Sequence, residues 1–179
     1  HQFKELINPE LLAKAGLWTL IIVVFAETGL MIGFFLPGDS LLFTAGLLCS
    51  EGTLAVDFWV LLFSLMIAAI LGDQTGYIIG RKLGDQLFTR EESLFFKPKY
   101  VLKTKEFYDR HGGKAIILGR FVPIVRTFAP VIAGVAKLDY KTFVIYNVTG
   151  GVLWIGSMLT AGYLLVKFIP GIKNYIHLV

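Results

Sequence analysis

Five charged side chains stand inside long apolar stretches of this sequence. They are three acids and two arginines: Glu27, Asp39, Asp73, Arg120 and Arg126. A charge at the centre of a bilayer costs about 2.5–3.5 kcal/mol on insertion scales. Single charges of this kind can reach the membrane surface from a helix end. Five of them in one small chain favour a polar site in the protein interior, in which acids pair with arginines.

The two arginines have the chemistry of an anion site. An arginine presents a planar fork of donors that matches carboxylate and phosphate groups, and it stays charged where water is excluded. Arg120 and Arg126 lie at the two ends of the segment RFVPIVR, a spacing that suits a phosphate monoester or diester. Glu27 and Asp39 are the candidate counter-charges when the ligand is absent. Because burial disfavours the charged form of a carboxyl group, acids of this kind permit proton coupling.

The candidate accessory members of the site are Asp73 and two further polar residues, Ser40 and Asn147. Asp39 and Ser40 also have a simpler interpretation. They follow a Pro-Gly pair, and either side chain can cap a helix that begins at Leu41. Asn147 lies within an apolar helix, and we interpret it as a structural residue that hydrogen-bonds a hairpin.

Composition identifies the class of protein. Of 179 residues, 55% are hydrophobic and 17% are charged, with a mean hydropathy of +0.69, whereas soluble domains have about 25% charged residues. These values predict an integral membrane protein and exclude a secreted disulfide scaffold, a disordered tail and most soluble enzymes. One cysteine, Cys49, and no zinc-type Cys/His spacing lead us to expect no disulfide, metal or cofactor. The net charge of +4 lies beside apolar segments, which favours lipid headgroups over nucleic acid.

Apolar blocks and polar breaks predict a single all-α membrane domain over residues 1–179. Its segments are a first broken segment over 15–50, a transmembrane helix over 54–80, an amphipathic loop over 81–114, a second broken segment over 115–136 and a transmembrane helix over 142–169. Nine of the seventeen Lys and Arg residues fall in 81–114, so the positive-inside rule predicts that this loop is cytoplasmic.

The order of these segments predicts an inverted repeat. Residues 15–50 are too long for one crossing and too short for two crossings of about 20 residues each with a turn. If each broken segment is a re-entrant hairpin, it returns to its own side of the membrane. Because only 54–80 crosses between the two units, the second hairpin then enters from the opposite face. We predict the hairpin tips at 37–40 and 121–130.

Small and aromatic residues in the apolar blocks have structural interpretations. Gly72, Gly76, Gly80 and Gly84 recur every four residues, a pattern typical of close packing between membrane helices. The three tryptophans, Trp18, Trp59 and Trp154, are interpreted as interfacial or packing residues. The apolar run from residue 15 leads into Glu-Thr-Gly rather than a small-residue cleavage site, so we expect no signal peptide.

Four stretches resemble the DedA family of bacterial inner-membrane proteins, also called SNARE-associated or VTT-domain proteins. They are ETGLMIGFFLPGDSLLFTAGLL, GDQTGYIIGRKLG, HGGKAIILGRFVPIVRTFAPVIAG and NVTGGVLW. The resemblance implies a multi-pass inner-membrane protein with two opposed re-entrant hairpins and lipid transport driven or modulated by the proton-motive force. The family's functional acids fall on Glu27 and Asp39, and its functional arginines fall on Arg120 and Arg126. The resemblance also implies a further C-terminal hydrophobic helix after Val179.

The leading hypothesis is a lipid-phosphate flippase that recycles undecaprenyl phosphate, with membrane lipids and protons as its partners. Family members are implicated in flipping this lipid or phosphatidylethanolamine, and eukaryotic relatives in scrambling phospholipids. The alternatives are therefore a phosphatidylethanolamine flippase or scramblase, a proton-coupled ion transporter, and a purely structural membrane protein. A lipid phosphatase is disfavoured, because all three histidines lie outside the apolar blocks and the arginines have no adjacent nucleophile or base. A homo-oligomer and a monomer both remain open.

Overall fold

The computed structural model describes residues 16–30, 38–54, 56–83, 106 and 109–169. Its helices are α1 (Leu17–Gly29), α2 (Gly38–Ser50), α3 (Phe58–Leu83), α4 (Lys114–Gly119), α5 (Pro123–Val135) and α6 (Tyr140–Phe168). Within these ranges all regular secondary structure is helical, which confirms the predicted all-α class. Most of the amphipathic loop predicted over 81–114 lies outside the described residues, so its cytoplasmic position stays a prediction.

Two helices in the described part of the chain are long and apolar enough to cross a membrane, namely α3 with 26 residues and α6 with 29. They correspond to the predicted transmembrane helices, with ends displaced by a few residues. Local caps account for the starts of both helices. The Asp57 carboxylate accepts a hydrogen bond from the backbone N–H of Trp59 at 2.9 Å, and that of Asp139 accepts one from Thr142 at 3.1 Å. Caps of this kind satisfy the free N–H groups of a first helical turn.

The two long helices run antiparallel and meet at both ends. The rings of Phe58, at the start of α3, and Tyr163, near the end of α6, are 4.6 Å apart between centroids. At the other end Tyr77 stacks on Phe143 with centroids 4.3 Å apart, and its hydroxyl donates to the Leu138 carbonyl at 2.6 Å. The long pair therefore forms the frame against which the short helices pack.

Glycines on α3 allow two short helices to pack closely along it. A Cβ at Gly29 of α1 would lie 2.8 Å from the Gly72 carbonyl oxygen. A Cβ at Gly76 would lie 3.3 Å from Pro130 of α5, and one at Gly80 would overlap the Val131 backbone. The glycine pattern is thus confirmed as a packing surface within the described part of α3.

The other two short helices pack along α6. Gly46 of α2 lies against the backbone of Leu159, and Gly113, which precedes α4, lies against the Tyr146 ring. The arrangement is reciprocal. Each long helix contacts one short helix from the first broken segment and one from the second.

The directions of the short helices follow from these contacts. Helix α1 runs along the first half of α3. Ile21, near the start of α1, lines a surface groove together with Ser64 of α3, and Gly29, at the end of α1, contacts Gly72 near the middle of α3. Helix α2 starts near the middle of α6 and continues toward its C-terminal end, which lies beside the start of α3. The first pair thus begins and ends at one end of the long pair. The second pair has the opposite arrangement. The residue before α4, Gly113, lies against Tyr146 near the start of α6, and Val131 in the second half of α5 lies against Gly80 near the end of α3. Helices α4 and α5 therefore begin and end at the other end of the long pair.

Two details differ from the sequence predictions. The predicted tip at 121–130 is too long, because residues 123–135 are helical and the break between α4 and α5 lies at 120–122. Pro123 is at the first position of α5, where proline is compatible with a helix. The proposed cap of a helix from Leu41 is also wrong, because α2 already begins at Gly38 and contains Asp39 in its first turn. The re-entrant hairpins and the inverted repeat stay predictions.

Candidate functional site: a buried cluster of ion pairs

Charged side chains from both broken segments meet between the end of α1, the start of α2 and the break between α4 and α5. The first segment contributes Glu27 and Asp39, and the second contributes Arg120 and Arg126. The long helices contribute three more residues, which are Asp73, Asn147 and Trp154. Apart from Asp39, all of these residues are at most 4% exposed. The helix breaks therefore place charge in a site that is almost closed.

Arg126 bridges two carboxylates of the first segment, as the sequence predicts. It lies in the first turn of α5. Its Nη2 donates to Glu27 Oε1 at 2.5 Å, and its Nη1 donates to Asp39 Oδ1 at 2.7 Å. Glu27 is fully buried at the end of α1, whereas the Asp39 side chain is 37% exposed. One of the two ion pairs of Arg126 is thus accessible and the other is not.

Arg120 has different partners from those expected. The acids of the first segment were its candidate counter-charges, but its Nη2 pairs with Asp73 of α3. The same nitrogen donates to Asn147 Oδ1 at 2.6 Å, while Asn147 Nδ2 donates to the Ile70 carbonyl at 3.1 Å. Asp73 lies opposite the break between α4 and α5 and supplies the nearby negative charge. Asn147, which belongs to α6, thus hydrogen-bonds both Arg120 at this break and Ile70 of α3. These contacts agree with its predicted structural role.

Trp154 is the site residue that sequence reasoning missed. The sequence predicted an interfacial or a packing residue; Trp154 is completely buried, which confirms the packing alternative, but its polar contacts were not predicted. Its Nε1 donates to Asp39 Oδ1 at 2.8 Å, and its ring centroid lies 4.4 Å from the Arg126 guanidinium carbon and 5.9 Å from that of Arg120. A signal was present in the sequence. Trp154 lies seven residues after Asn147, which places both side chains on one face of α6.

Glycines leave room for the charged side chains. A Cβ at Gly38 would coincide with the Glu27 carboxylate. A Cβ at Gly150 would lie 2.9 Å from both Cδ and Nε of Arg120. Gly150 lies between Asn147 and Trp154 along α6, so this face of the helix combines a hydrogen-bonding residue, a space for arginine and an aromatic ring. Ser40, predicted as an accessory residue, is exposed and lies outside the cluster.

The cluster is neither electrically balanced nor fully hydrogen-bonded. Three carboxylates face two guanidinium groups, which leaves one excess negative charge when all are ionised. Among the described residues, several buried atoms of the cluster have no hydrogen-bond partner, namely Glu27 Oε2, Asp73 Oδ1, Arg120 Nε, Arg120 Nη1 and Arg126 Nε. Buried polar groups are normally satisfied. Unused donors and acceptors in one place can receive a ligand or a proton.

No group of three or more His, Cys, Asp or Glu side chains in the described ranges could hold a metal ion. The three carboxylates of the cluster are each bound by an arginine instead. The site thus presents guanidinium and carboxyl groups, to which anions and protons can bind.

In its described residues the chain is thus a helical protein with two candidate membrane-spanning helices and an ion-pair cluster between two pairs of short helices. Residues 36–164 match the VTT domain. Protein DedA of Escherichia coli (strain K12) is 48% identical over 157 residues, which cover 86% of this chain and 72% of that protein. An uncharacterized membrane protein of Mycobacterium leprae (strain TN) is also 48% identical, over 89% of this chain and 71% of its own length. Inner membrane protein YqjA of Escherichia coli (strain K12) is 35% identical over 93% of this chain and 74% of its own length.

The chain belongs to the DedA family of VTT-domain proteins. Two of these three relatives are named as membrane proteins, one of them of the inner membrane, so a membrane location of this chain is supported. No solved structure matches the chain.

Proposed function

We propose that this protein moves a lipid phosphate across the bacterial inner membrane, with undecaprenyl phosphate as the favoured substrate. The observation that carries the proposal is the double ion pair of Arg126. Its two terminal nitrogens hold carboxylates at 2.5 and 2.7 Å. A phosphate oxygen can accept from a guanidinium N–H in the same way as a carboxylate oxygen. The carboxylates thus occupy positions that phosphate oxygens can take.

Asp39 is the carboxylate that an incoming phosphate displaces. Its side chain is 37% exposed, whereas Glu27 is inaccessible on the other side of Arg126. An anion that approaches from the open side meets Asp39 first and competes with it for Nη1 of Arg126. Because an arginine stays charged without water, Arg126 can exchange one anion for another inside the membrane.

The directions of the short helices support two opposed re-entrant hairpins. Helices α1, α2 and α5 have 13 residues each, which corresponds to about 20 Å, whereas the hydrocarbon core is about 30 Å thick. Each broken segment begins and ends at the same end of the long pair, and the two segments use opposite ends. In a multi-pass protein oriented by α3 and α6, this arrangement corresponds to an inverted repeat with the cluster between its units, as in many secondary transporters.

The excess carboxylate supports coupling to protons. Arg120 pairs with one carboxylate, whereas Arg126 pairs with two, so the uncompensated charge belongs to the Arg126 side. Glu27 is fully buried there and has an unpaired oxygen, Oε2. We assign it as the proton carrier. When phosphate replaces Asp39, a proton on Glu27 limits the negative charge that accumulates around a single guanidinium.

Reconstitution into proteoliposomes tests the function. A polyprenyl phosphate with a fluorescent terminal group is placed in both leaflets, and a membrane-impermeant quencher reports how fast it moves outward. We expect fast movement with the wild type and little with Arg126→Gln. Arg81→Gln is the matched control, because Arg81 is an exposed arginine at the far end of α3.

Parallel assays separate the alternatives. Movement of labelled phosphatidylethanolamine, but not of the polyprenyl phosphate, would favour the phospholipid flippase or scramblase. Proton flux without movement of either lipid would favour the ion transporter. If the wild type moves no lipid faster than empty liposomes do, the proposal fails.

A further inference from the structure

Trp154 contacts both members of the ion pair that the proposed exchange has to open. Its indole N–H and Nη1 of Arg126 donate to the same oxygen, Asp39 Oδ1, at 2.8 and 2.7 Å. Its ring face lies 4.4 Å from the Arg126 guanidinium carbon. Asp39 and Arg126 therefore touch each other and the same indole.

We propose that Trp154 is a positioning residue that keeps Asp39 and Arg126 in place when their ion pair opens to admit a phosphate. The indole N–H retains the displaced carboxylate, and the ring face retains the guanidinium. This inference rests on the proposed function, because it assumes that an anion replaces Asp39 at Arg126.

The cost of an unpaired buried charge explains why such a residue is needed. Breaking a buried ion pair normally leaves an uncompensated charge, which is strongly unfavourable. Trp154 reduces this cost on both sides. A hydrogen bond to a carboxylate is stronger than one between neutral groups, and an aromatic face attracts a cation most effectively where water is excluded. Both interactions survive the separation of Asp39 from Arg126.

The two arginines differ in their contact with the Trp154 ring. Arg126 lies in close cation–π contact with the ring, whereas Arg120 is 5.9 Å from its centroid and is held by Asp73 and Asn147. Trp154 thus supports the arginine that has an accessible partner. Arg120 depends on it less, since its own partners are buried.

The first test isolates the ring face from the N–H group. Trp18 and Trp59 are 76% and 61% exposed and are replaced by phenylalanine, so that Trp154 is the single tryptophan. Fluorinated tryptophans are then incorporated, which weaken the negative ring face but keep the N–H and nearly the same shape. We expect the affinity for farnesyl phosphate in detergent to fall stepwise by several-fold across the series. Equal affinities across it would overturn the positioning role and leave only a packing role.

The second test needs no ligand. The emission of the single Trp154 should shift in Asp39→Ala and in Arg126→Lys, because each change removes one of its polar contacts. Arg81→Gln, at the far end of α3, is the control and should leave the spectrum unchanged. An emission spectrum that is unchanged in both Asp39→Ala and Arg126→Lys would overturn the proposed contacts. If the wild type does not bind farnesyl phosphate, the transport proposal loses its support, while this measurement still decides whether Trp154 holds the pair.

Discussion

The backbone carbonyl of Arg120 accepts a hydrogen bond from Nη1 of Arg126 at 3.3 Å. This bond spans the break between α4 and α5 and joins the two ion-paired halves of the cluster. Nη1 is also the nitrogen that holds Asp39, the accessible carboxylate. A ligand that displaces Asp39 therefore acts on a group in direct contact with the backbone of the other arginine, so substitutions at the two arginines should be energetically coupled.

Replacing each arginine by lysine should separate phosphate binding from structural support. Lysine keeps the charge but loses the planar fork. In Arg126→Lys the fork that holds two carboxylates disappears, so we expect the affinity for farnesyl phosphate to fall by about 1–3 kcal/mol, the value of a charge-assisted hydrogen bond. In Arg120→Lys the loss should be smaller, since Arg120 is enclosed by Asp73 and Asn147. Calorimetry on both variants measures this, and wild-type affinity in Arg126→Lys would contradict the phosphate grip.

Removing the Asp73 charge should destabilise the fold itself. Asp73→Asn leaves Arg120 buried without a carboxylate, and breaking a buried pair in this way costs about 3–5 kcal/mol. Adding Arg120→Gln should restore part of this stability, because no buried charge is then left unpaired. Unfolding by denaturing detergent gives the free energies. Asp57→Asn is the control, because Asp57 is an exposed helix cap and asparagine caps a helix about as well as aspartate, so its stability should change little; equal costs for both variants would argue against a structural ion pair.

The sequence predicted the members of the cluster better than their pairing. Glu27, Asp39 and both arginines are recognisable because charges are expensive in apolar helices. Their pairing depends on which short helix packs on which long helix, and this reciprocal packing is a tertiary property. Asp73 therefore appeared as an accessory residue, although it is the partner of Arg120. Trp154 was missed for a related reason: its spacing from Asn147 places both side chains on one face of α6, but that this face meets the guanidinium groups depends on how the helices pack.

Two glycines in α6 provide a matched pair of alanine variants. A Cβ at Gly150 would lie 2.9 Å from Cδ and Nε of Arg120, whereas one at Gly156 would meet only the end of Met66 at 3.7 Å. Gly150→Ala should therefore displace Arg120 and reduce lipid movement in proteoliposomes, while Gly156→Ala should retain it. The alanines have the same helix propensity, so a difference reports the local space. Equal activity would mean that Arg120 moves aside without consequence.

Cysteine labelling tests the opposed hairpins. Thr53 and Ala136 are exposed, in the connections that follow α2 and α5. Because these connections lie at opposite ends of the α3–α6 pair, cysteines placed there in a Cys49→Ala background should react with a membrane-impermeant reagent from opposite sides of the membrane. Labelling of both from the same side of oriented vesicles would exclude opposed hairpins.

Glu27→Gln tests the role of the excess charge. Glutamine keeps the shape and one carbonyl acceptor for Arg126, but it cannot ionise, so the uncompensated charge disappears. If Glu27 carries the proton, the variant should still bind farnesyl phosphate but should lose the acceleration of lipid movement by a pH gradient. Glu106→Gln is the control, because Glu106 is exposed outside the cluster, and it should respond to the gradient as the wild type does.

The test compares the rate of lipid movement with and without the pH gradient, in liposomes that contain the same preparation of Glu27→Gln. A wild-type response in Glu27→Gln would remove Glu27 as the proton carrier and leave it a structural partner of Arg126. Asp73, which also has an unpaired oxygen, would then be the remaining buried carboxylate able to accept the proton. Loss of farnesyl phosphate binding in Glu27→Gln would have a different meaning, since it would show that the charge of Glu27 is needed to orient Arg126 before any proton moves.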